Sequence, residues 1–159
     1  MITGSIAANF YTTPRMTRDI DIVIEVGENN VEMLFSLFSE DFYIDKDSAR
    51  NAILNKRIFN IIHNEGIVKV DFIIRKDTKY RKVEFGRKRC IIFEGLKINI
   101  TSPEDLILSK LFWAKESLSE MQMRDVKNLM KTILDLDINY IQKWVKELEL
   151  EEIYKEVNR

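Results

Sequence analysis

Between Thr17 and Val26 the sequence reads TRDIDIVIEV, and its two aspartates are the first residues placed to do chemistry together. Side chains alternate across a β-strand, so a strand here sets Asp19 and Asp21 side by side on one face and Ile20, Ile22 and Ile24 on the other. Two adjacent anions in front of a buried sheet are costly unless a cation sits between them, and a divalent metal is the usual one. The competing reading of this stretch alone is a solvated edge strand whose outer face carries Asp19, Asp21 and Glu25. A third carboxylate, Asp71, stands within VKVDFII, where Val68, Val70, Phe72 and Ile74 share one strand face and the acid takes the other. An aspartate in so apolar a run calls for a partner.

These acids need elements to hold them. Upstream, ITGSIAANFYT joins a Gly4-Ser5 turn to a short run of helix formers that Pro14 stops. A helix opened this way points free backbone N–H groups at any nearby anion, a phosphate included, although most Gly-Ser pairs are ordinary turns. Downstream of the strand, apolar residues at 31, 34, 35 and 38 have the spacing of one helix face and predict a helix over residues 30 to 39. Residues 47 to 57 are ambiguous between a short helix and an irregular segment. Runs 57–63 and 67–74, joined by Asn64, Glu65 and Gly66, predict a hairpin.

The segment 75–89, RKDTKYRKVEFGRKR, carries eight basic residues against Asp77 and Glu84. It reads either as a solvated loop and strand edge or as a local phosphate or RNA contact, with Tyr80 and Phe85 offered for stacking. Two more strands follow, 90–93 and 96–100, turning at Glu94-Gly95. At Thr101-Ser102-Pro103-Glu104-Asp105 the character changes to a helix start, with Ser102 as cap, Pro103 in the first turn and Asp105 as the capping-box partner. Four helices are expected from there, over 103–118, 121–134, 138–148 and 150–157. The fold class that follows is α+β: a mixed sheet flanked by helices over residues 1–101, and an all-helical part over 102–159, together in one compact unit.

Composition bounds the setting. With 159 residues, 45% hydrophobic and 32% charged, the chain suits a single globular domain and not an extended disordered one. No apolar run approaches the ~18 residues of a membrane span, so no membrane partner is expected. The first residues lack the apolar centre of a secretory signal and run directly into the strand, so they read as part of the fold. Cys90 is the single cysteine, which fits a reducing, cytoplasmic compartment. A formal net charge of -1 provides no global basic field for nucleic acid.

Order and spacing say more than any one motif. Gly4-Ser5, thirteen further residues, Asp19-Ile20-Asp21, and then Asp71 on a later strand resemble the nucleotidyltransferase superfamily, the polymerase-beta-like group. More narrowly, YTTPRMTRDIDIVIE, SPEDLILSKLFWAKES and RDVKNLM resemble the small bacterial and archaeal branch that includes AbiEii-type toxins of toxin-antitoxin pairs.

The resemblance implies transfer of an NMP group from an NTP to an acceptor hydroxyl, with two Mg²⁺ ions held by Asp19, Asp21 and Asp71. Gly4 and Ser5 would hold the β and γ phosphates, and Lys110 of ILSKL would face the triphosphate. Arg18, with Arg15, flanks the strand and would either neutralise phosphate or cover the strand's end. The acceptor stays open among an RNA such as a tRNA 3′ end, a protein side chain and a small molecule, and a cognate antitoxin is the partner the branch implies. The alternative is a catalytically degenerate member that binds a nucleotide or a protein partner. Two departures point that way: only Met1, Ile2 and Thr3 precede the Gly-Ser turn where members carry a helix and a full strand, and Asn128 stands where the late RDhxDh motif of AbiEii-like members has a second acid. Asp125 of that motif is expected to act behind the site or as a structural residue.

Overall fold

A computed structural model describes residues 1–66, 68–117 and 119–157. Residues Ile67 and Leu118, which the sequence placed at the start of a strand and the end of a helix, lie outside these. The elements run α1 (Gly4–Asn9), β1 (Asp19–Ile24), a 3-10 turn (Glu28–Asn30), α2 (Val31–Phe38), β2 (Phe42–Ile44), α3 (Lys46–Leu54), β3 (Ile58–His63) and β4 (Lys69–Ile74). They continue with α4 (Lys79–Gly86), β5 (Arg89–Phe93), β6 (Leu96–Ile100), α5 (Pro103–Ser117), α6 (Glu120–Thr132), α7 (Ile138–Glu147) and α8 (Glu151–Val157). The α+β class expected from the sequence is the class observed.

Four strands form a mixed sheet in the order β1-β4-β3-β2, with β1 parallel to β4 and the other pairs antiparallel. The β5-β6 hairpin joins this sheet through residues 1–3. On one side, Met1 and Val23 exchange hydrogen bonds of 2.9 and 2.8 Å, and Thr3 N donates to the Asp21 carbonyl at 2.9 Å. On the other, Ile2 N donates to Asn99 O at 2.7 Å, and Ile2 O accepts from Thr101 N at 2.9 Å. Three residues thus pair on both flanks beside the Gly4 turn.

Alternation decides the layers. Ile20, Ile22 and Ile24 of β1 join Val70, Phe72 and Ile74 of β4 and Phe59 and Ile61 of β3 in a core closed by Val31 and Phe35 of α2 and Ala49, Ala52 and Ile53 of α3. Both helices are therefore spent covering this face. The ambiguous segment is helical because Asp45 caps it, accepting from Ser48 N at 3.0 Å.

A second core is built around α5, buried at every position from Pro103 to Leu111, with Ala7 and Ala8 of α1, Tyr80 of α4 and apolar residues of α6, α7 and α8 packed on it. Each of its fully buried leucines contributes about 1.5–3 kcal/mol of transfer free energy. A helix buried all round must satisfy its own polar residues. Ser102 does so at the start, accepting from Asp105 N at 3.3 Å as the expected cap, while the Asp105 carboxylate accepts from the Ser102 hydroxyl at 2.6 Å and not from its backbone N–H as in a capping box. None of the described helices is long and apolar enough to cross a membrane.

Candidate active site

The sheet face opposite the α2–α3 layer carries the acids. β1 and β4 are parallel and in register, with Asp21 opposite Asp71 and Asp19 opposite Lys69. All four side chains therefore project from the same face, and the one geometric demand of the sequence reading, that Asp71 join Asp19 and Asp21 on one side of the sheet, is met by strand register. Asn60 of β3 lies beside Asp71 in turn. Asn60 is exposed, as are its same-face neighbours Ile58 and Ile62, so solvent reaches the cluster from the β3 side.

Electrostatics follow from that packing. Burial, then the adjacent Asp71 carboxylate, pushes the Asp21 carboxyl above its ordinary range, against the pull of Lys110 and Lys69. Lys69 was not singled out in the sequence, yet its Nζ donates to Asp71 Oδ2 at 2.9 Å and stands 3.8 Å from Asp19 Oδ2. The hydrogen bond to Asp71 holds this ammonium above the usual lysine range. Lys-Val-Asp spacing was the available signal, because residues two apart in a strand share a face.

Gly4 begins α1 directly against Asp21. Its φ is +62°, and a Cβ built on it would lie 1.9 Å from Asp21 Oδ2. A glycine is therefore required twice over, by the left-handed backbone and by the carboxylate that fills the space a side chain would take.

The next residue, Ser5, starts a chain of contacts that reaches the helical part. Arg15 Nη2 donates to Ser5 Oγ at 2.5 Å and to Asp125 Oδ2 at 3.3 Å. Lys110 Nζ donates to the same Asp125 oxygen at 2.8 Å and to Gln122 Oε1 at 3.0 Å. The Asn9 side chain fixes the arginine's backbone, accepting from Arg15 N at 3.0 Å and donating to Arg15 O at 2.9 Å. Burial lowers the Lys110 ammonium, and its bond to Asp125 only partly restores it. Burial likewise raises the Asp125 carboxyl, but Lys110 and Arg15 outweigh this and hold it below the carboxylate range.

Of the two arginines flanking the strand, Arg15 enters this network, while Arg18 is exposed near the start of β1. Asn128 lies exposed on α6, one turn after the buried Asp125.

Whether these residues suit a divalent cation can be judged from the donor set. Three carboxylates share one face, one of them resists ionisation because of its burial and then its neighbour Asp71, and an ammonium has been drawn between the other two. In kind this is an all-oxygen site of the sort Mg²⁺ prefers. As placed around Lys69, no three His, Cys, Asp or Glu side chains among the described residues are grouped to hold an ion. The set fits a metal in chemistry and face, with Lys69 as its present counter-charge.

The basic segment corrects its sequence reading. Residues 79–86 form α4, capped by Thr78, and not a loop or strand edge. Tyr80 is buried on Trp144 with ring centroids 4.9 Å apart, and its hydroxyl donates to Asp105 O at 3.3 Å, so it offers no face to a base. Arg81 pairs with buried Glu84 at 2.8 Å, and Arg87 with Asp105 at 3.0 Å and Glu104 at 3.2 Å. These arginines are the cations that the buried acids of α4 and α5 require.

Among solved structures, the chain is similar to the crystal structure of an antigenic nucleotidyltransferase-like protein from Paracoccidioides brasiliensis. The two superpose with a TM-score of 0.53 over 99% of this chain and 83% of that one, at 15% sequence identity. The fold is nucleotidyltransferase-like. No protein-family model matches the chain, and no curated protein matches it in sequence. The acid cluster abuts the Gly4 turn, and Ser5 of that turn joins the Arg15–Asp125–Lys110 network.

Proposed function

We propose that this protein transfers a nucleoside monophosphate from an NTP to an acceptor hydroxyl, with Asp19, Asp21 and Asp71 as the metal-holding and catalytic acids. What supports the reading above all is the register of β1 and β4, which sets Asp21 beside Asp71 next to a glycine that makes room for the carboxylate. Mg²⁺ held by these acids would neutralise charge on the phosphates and align the reacting oxygens.

The acceptor oxygen attacks the α-phosphorus, a new P–O bond forms, and the bond to the β-phosphate oxygen breaks. Pyrophosphate leaves with that electron pair, and the hydroxyl proton passes to Asp71, the acid on the strand beside that of Asp19 and Asp21. Ser5 and the Gly4 turn, with Arg15 and Lys110, form the phosphate-facing side. Both cations share one carboxylate, so the network presents positive charge beside the turn without exposing it fully to water. Arg18, exposed near the start of β1, is assigned to the incoming phosphates only at the periphery.

The narrower AbiEii-type reading, with a cognate antitoxin as partner and a cytoplasmic setting, is supported by the meeting of Arg15 from PRMTRDID with Asp125 from RDVKNLM in one ion pair. Acceptors proposed within it are an RNA 3′ end or a protein side chain.

The test uses α-labelled NTPs with Mg²⁺, offered tRNA and protein acceptors. Label should move to one acceptor with release of pyrophosphate, and Asp19→Ala or Asp21→Ala should abolish it in folded protein. Transfer that survives either change removes these carboxylates from the mechanism. An NTP that raises the melting temperature without any transfer would identify the degenerate, nucleotide-binding alternative, because ligand binding to the native state must stabilise it.

A further inference from the structure

The three carboxylates already have a cation. Lys69 lies directly across from Asp19 in the β1–β4 register and two residues before Asp71, so its arm lies along the same face as all three acids. Its Nζ is 2.9 Å from Asp71 Oδ2 and 3.8 Å from Asp19 Oδ2, the space between the outer members of the cluster. The Lys69 side chain is 37% exposed, while that of Asp71 is 19% exposed. A four-carbon stem on a solvent-facing strand has a clear route out of the cluster, and ion pairs this exposed are held weakly.

We propose that Lys69 is the resident counter-ion of the acid cluster and competes with divalent cations for it, so that a metal ion is taken up only as the ammonium withdraws from Asp71. The inference rests on the metal assignment proposed above and adds to it a residue that sets the affinity. An ammonium and a divalent ion cannot share the same Asp71 oxygen without strong repulsion. The free protein is thereby kept folded with its acids compensated, and free divalent ions are discriminated against. A metal that arrives with a triphosphate brings extra ligands and overcomes the competition.

The experiment titrates Mn²⁺, read as free ion by electron paramagnetic resonance, into the full chain, Lys69→Met and Lys69→Arg. Circular dichroism confirms that all three are folded. Methionine keeps the arm and removes its charge, so Lys69→Met should bind Mn²⁺ more tightly, by up to about fivefold, the scale of one exposed ion pair. Lys69→Arg should stay near the unaltered protein. Mn²⁺ binding that is unchanged or weaker in Lys69→Met overturns the competition while leaving the metal site standing. Absence of binding in all three proteins, at an ion concentration that saturates a free carboxylate chelator, overturns the metal assignment and this inference with it. Asp19→Asn in the Lys69→Met background should abolish the binding, and if it does not, the ion is held elsewhere and the inference fails.

Discussion

Gly4 and Asp21 give the sharpest quantitative test of the site, because one residue's missing side chain is the other's space. Replacing Gly4 by Ala adds a Cβ at φ +62°, which costs about 1–2 kcal/mol from the left-handed backbone alone. The new atom would also stand 1.9 Å from Asp21 Oδ2 and 2.8 Å from its Cγ, with Cβ at 3.1 Å. Driving the carboxylate away from so close an approach costs a further ~1–3 kcal/mol, the usual range for overpacking. In an Asp21→Ala background Oδ2 and Cγ are gone and only the milder Cβ contact remains. Gly4→Ala should then cost about 1–2 kcal/mol there, against about 2–5 kcal/mol in the parent. Urea denaturation of the four proteins of the cycle, with EDTA present, measures the coupling as about 1–3 kcal/mol between contacting residues. Additivity within a few tenths of a kcal/mol would mean that Gly4 does not pack on Asp21, and the link between the turn and the acid cluster would be lost.

Four other outcomes follow from the geometry. Asp21 has a raised pKa in the fold, so its charged form destabilises the native state above the ordinary carboxylate range, and that cost is relieved as pH falls through the raised value. Asp21→Asn should therefore raise the urea midpoint of the metal-free protein at pH 7 and have little effect at pH 3, and a lowered midpoint at pH 7 would contradict the like-charge account. Lys110→Met leaves Asp125 with Arg15 as its remaining cation, so it should cost about 1–3 kcal/mol, below the ~3–5 kcal/mol of a wholly stranded buried charge. Because Asp125 is held below the carboxylate range, its contribution is complete above the unfolded value near ~4 and is lost as pH falls through the lowered one; Asp125→Asn should flatten the acid limb of the stability curve measured by chemical denaturation. Tyr80→Phe should cost about 1 kcal/mol through its lost hydrogen bond to Asp105 O and leave RNA affinity in a filter-binding assay unchanged.

Periodicity was enough to find β1, β3, β4 and α2, because each buries one face, while β2 and α4 were missed and α3 was left ambiguous. The alternation in DIDIVI and VKVDFII placed Ile20, Ile22, Ile24, Val70, Phe72 and Ile74 in a common core, and the acids opposite them. α5 was located by its cap and not by amphipathicity, since it is buried on all sides. The basic segment was misread for a physical reason. Its arginines are spaced like a solvated surface, but Glu84, Glu104 and Asp105 are buried acids from α4 and α5, and a local pattern cannot show that a distant helix will bring anions to meet them. Tyr80 went inside with them.

The same limit explains what the site reading lacked. Gly4, Asp19 and Asp21 are close in sequence, but Lys69 and Arg15 acquire their roles from partners 50 to 110 positions away, by strand register and by the packing of α6 on α5. The structure thereby divides the labour between two cations of different accessibility. Lys69 sits among the acids on an open face, where it can be exchanged for another cation. Lys110 is 2% exposed and tied to Asp125 and Gln122, so releasing it would leave a buried carboxylate with Arg15 alone. A ligand that brings both positive and negative charge, as a metal-bound triphosphate does, can displace the first and be held by the second. Under the proposed assignment a bare divalent ion would engage only the acid cluster and a bare triphosphate only the Lys110 side, so binding of the two together is expected to be cooperative.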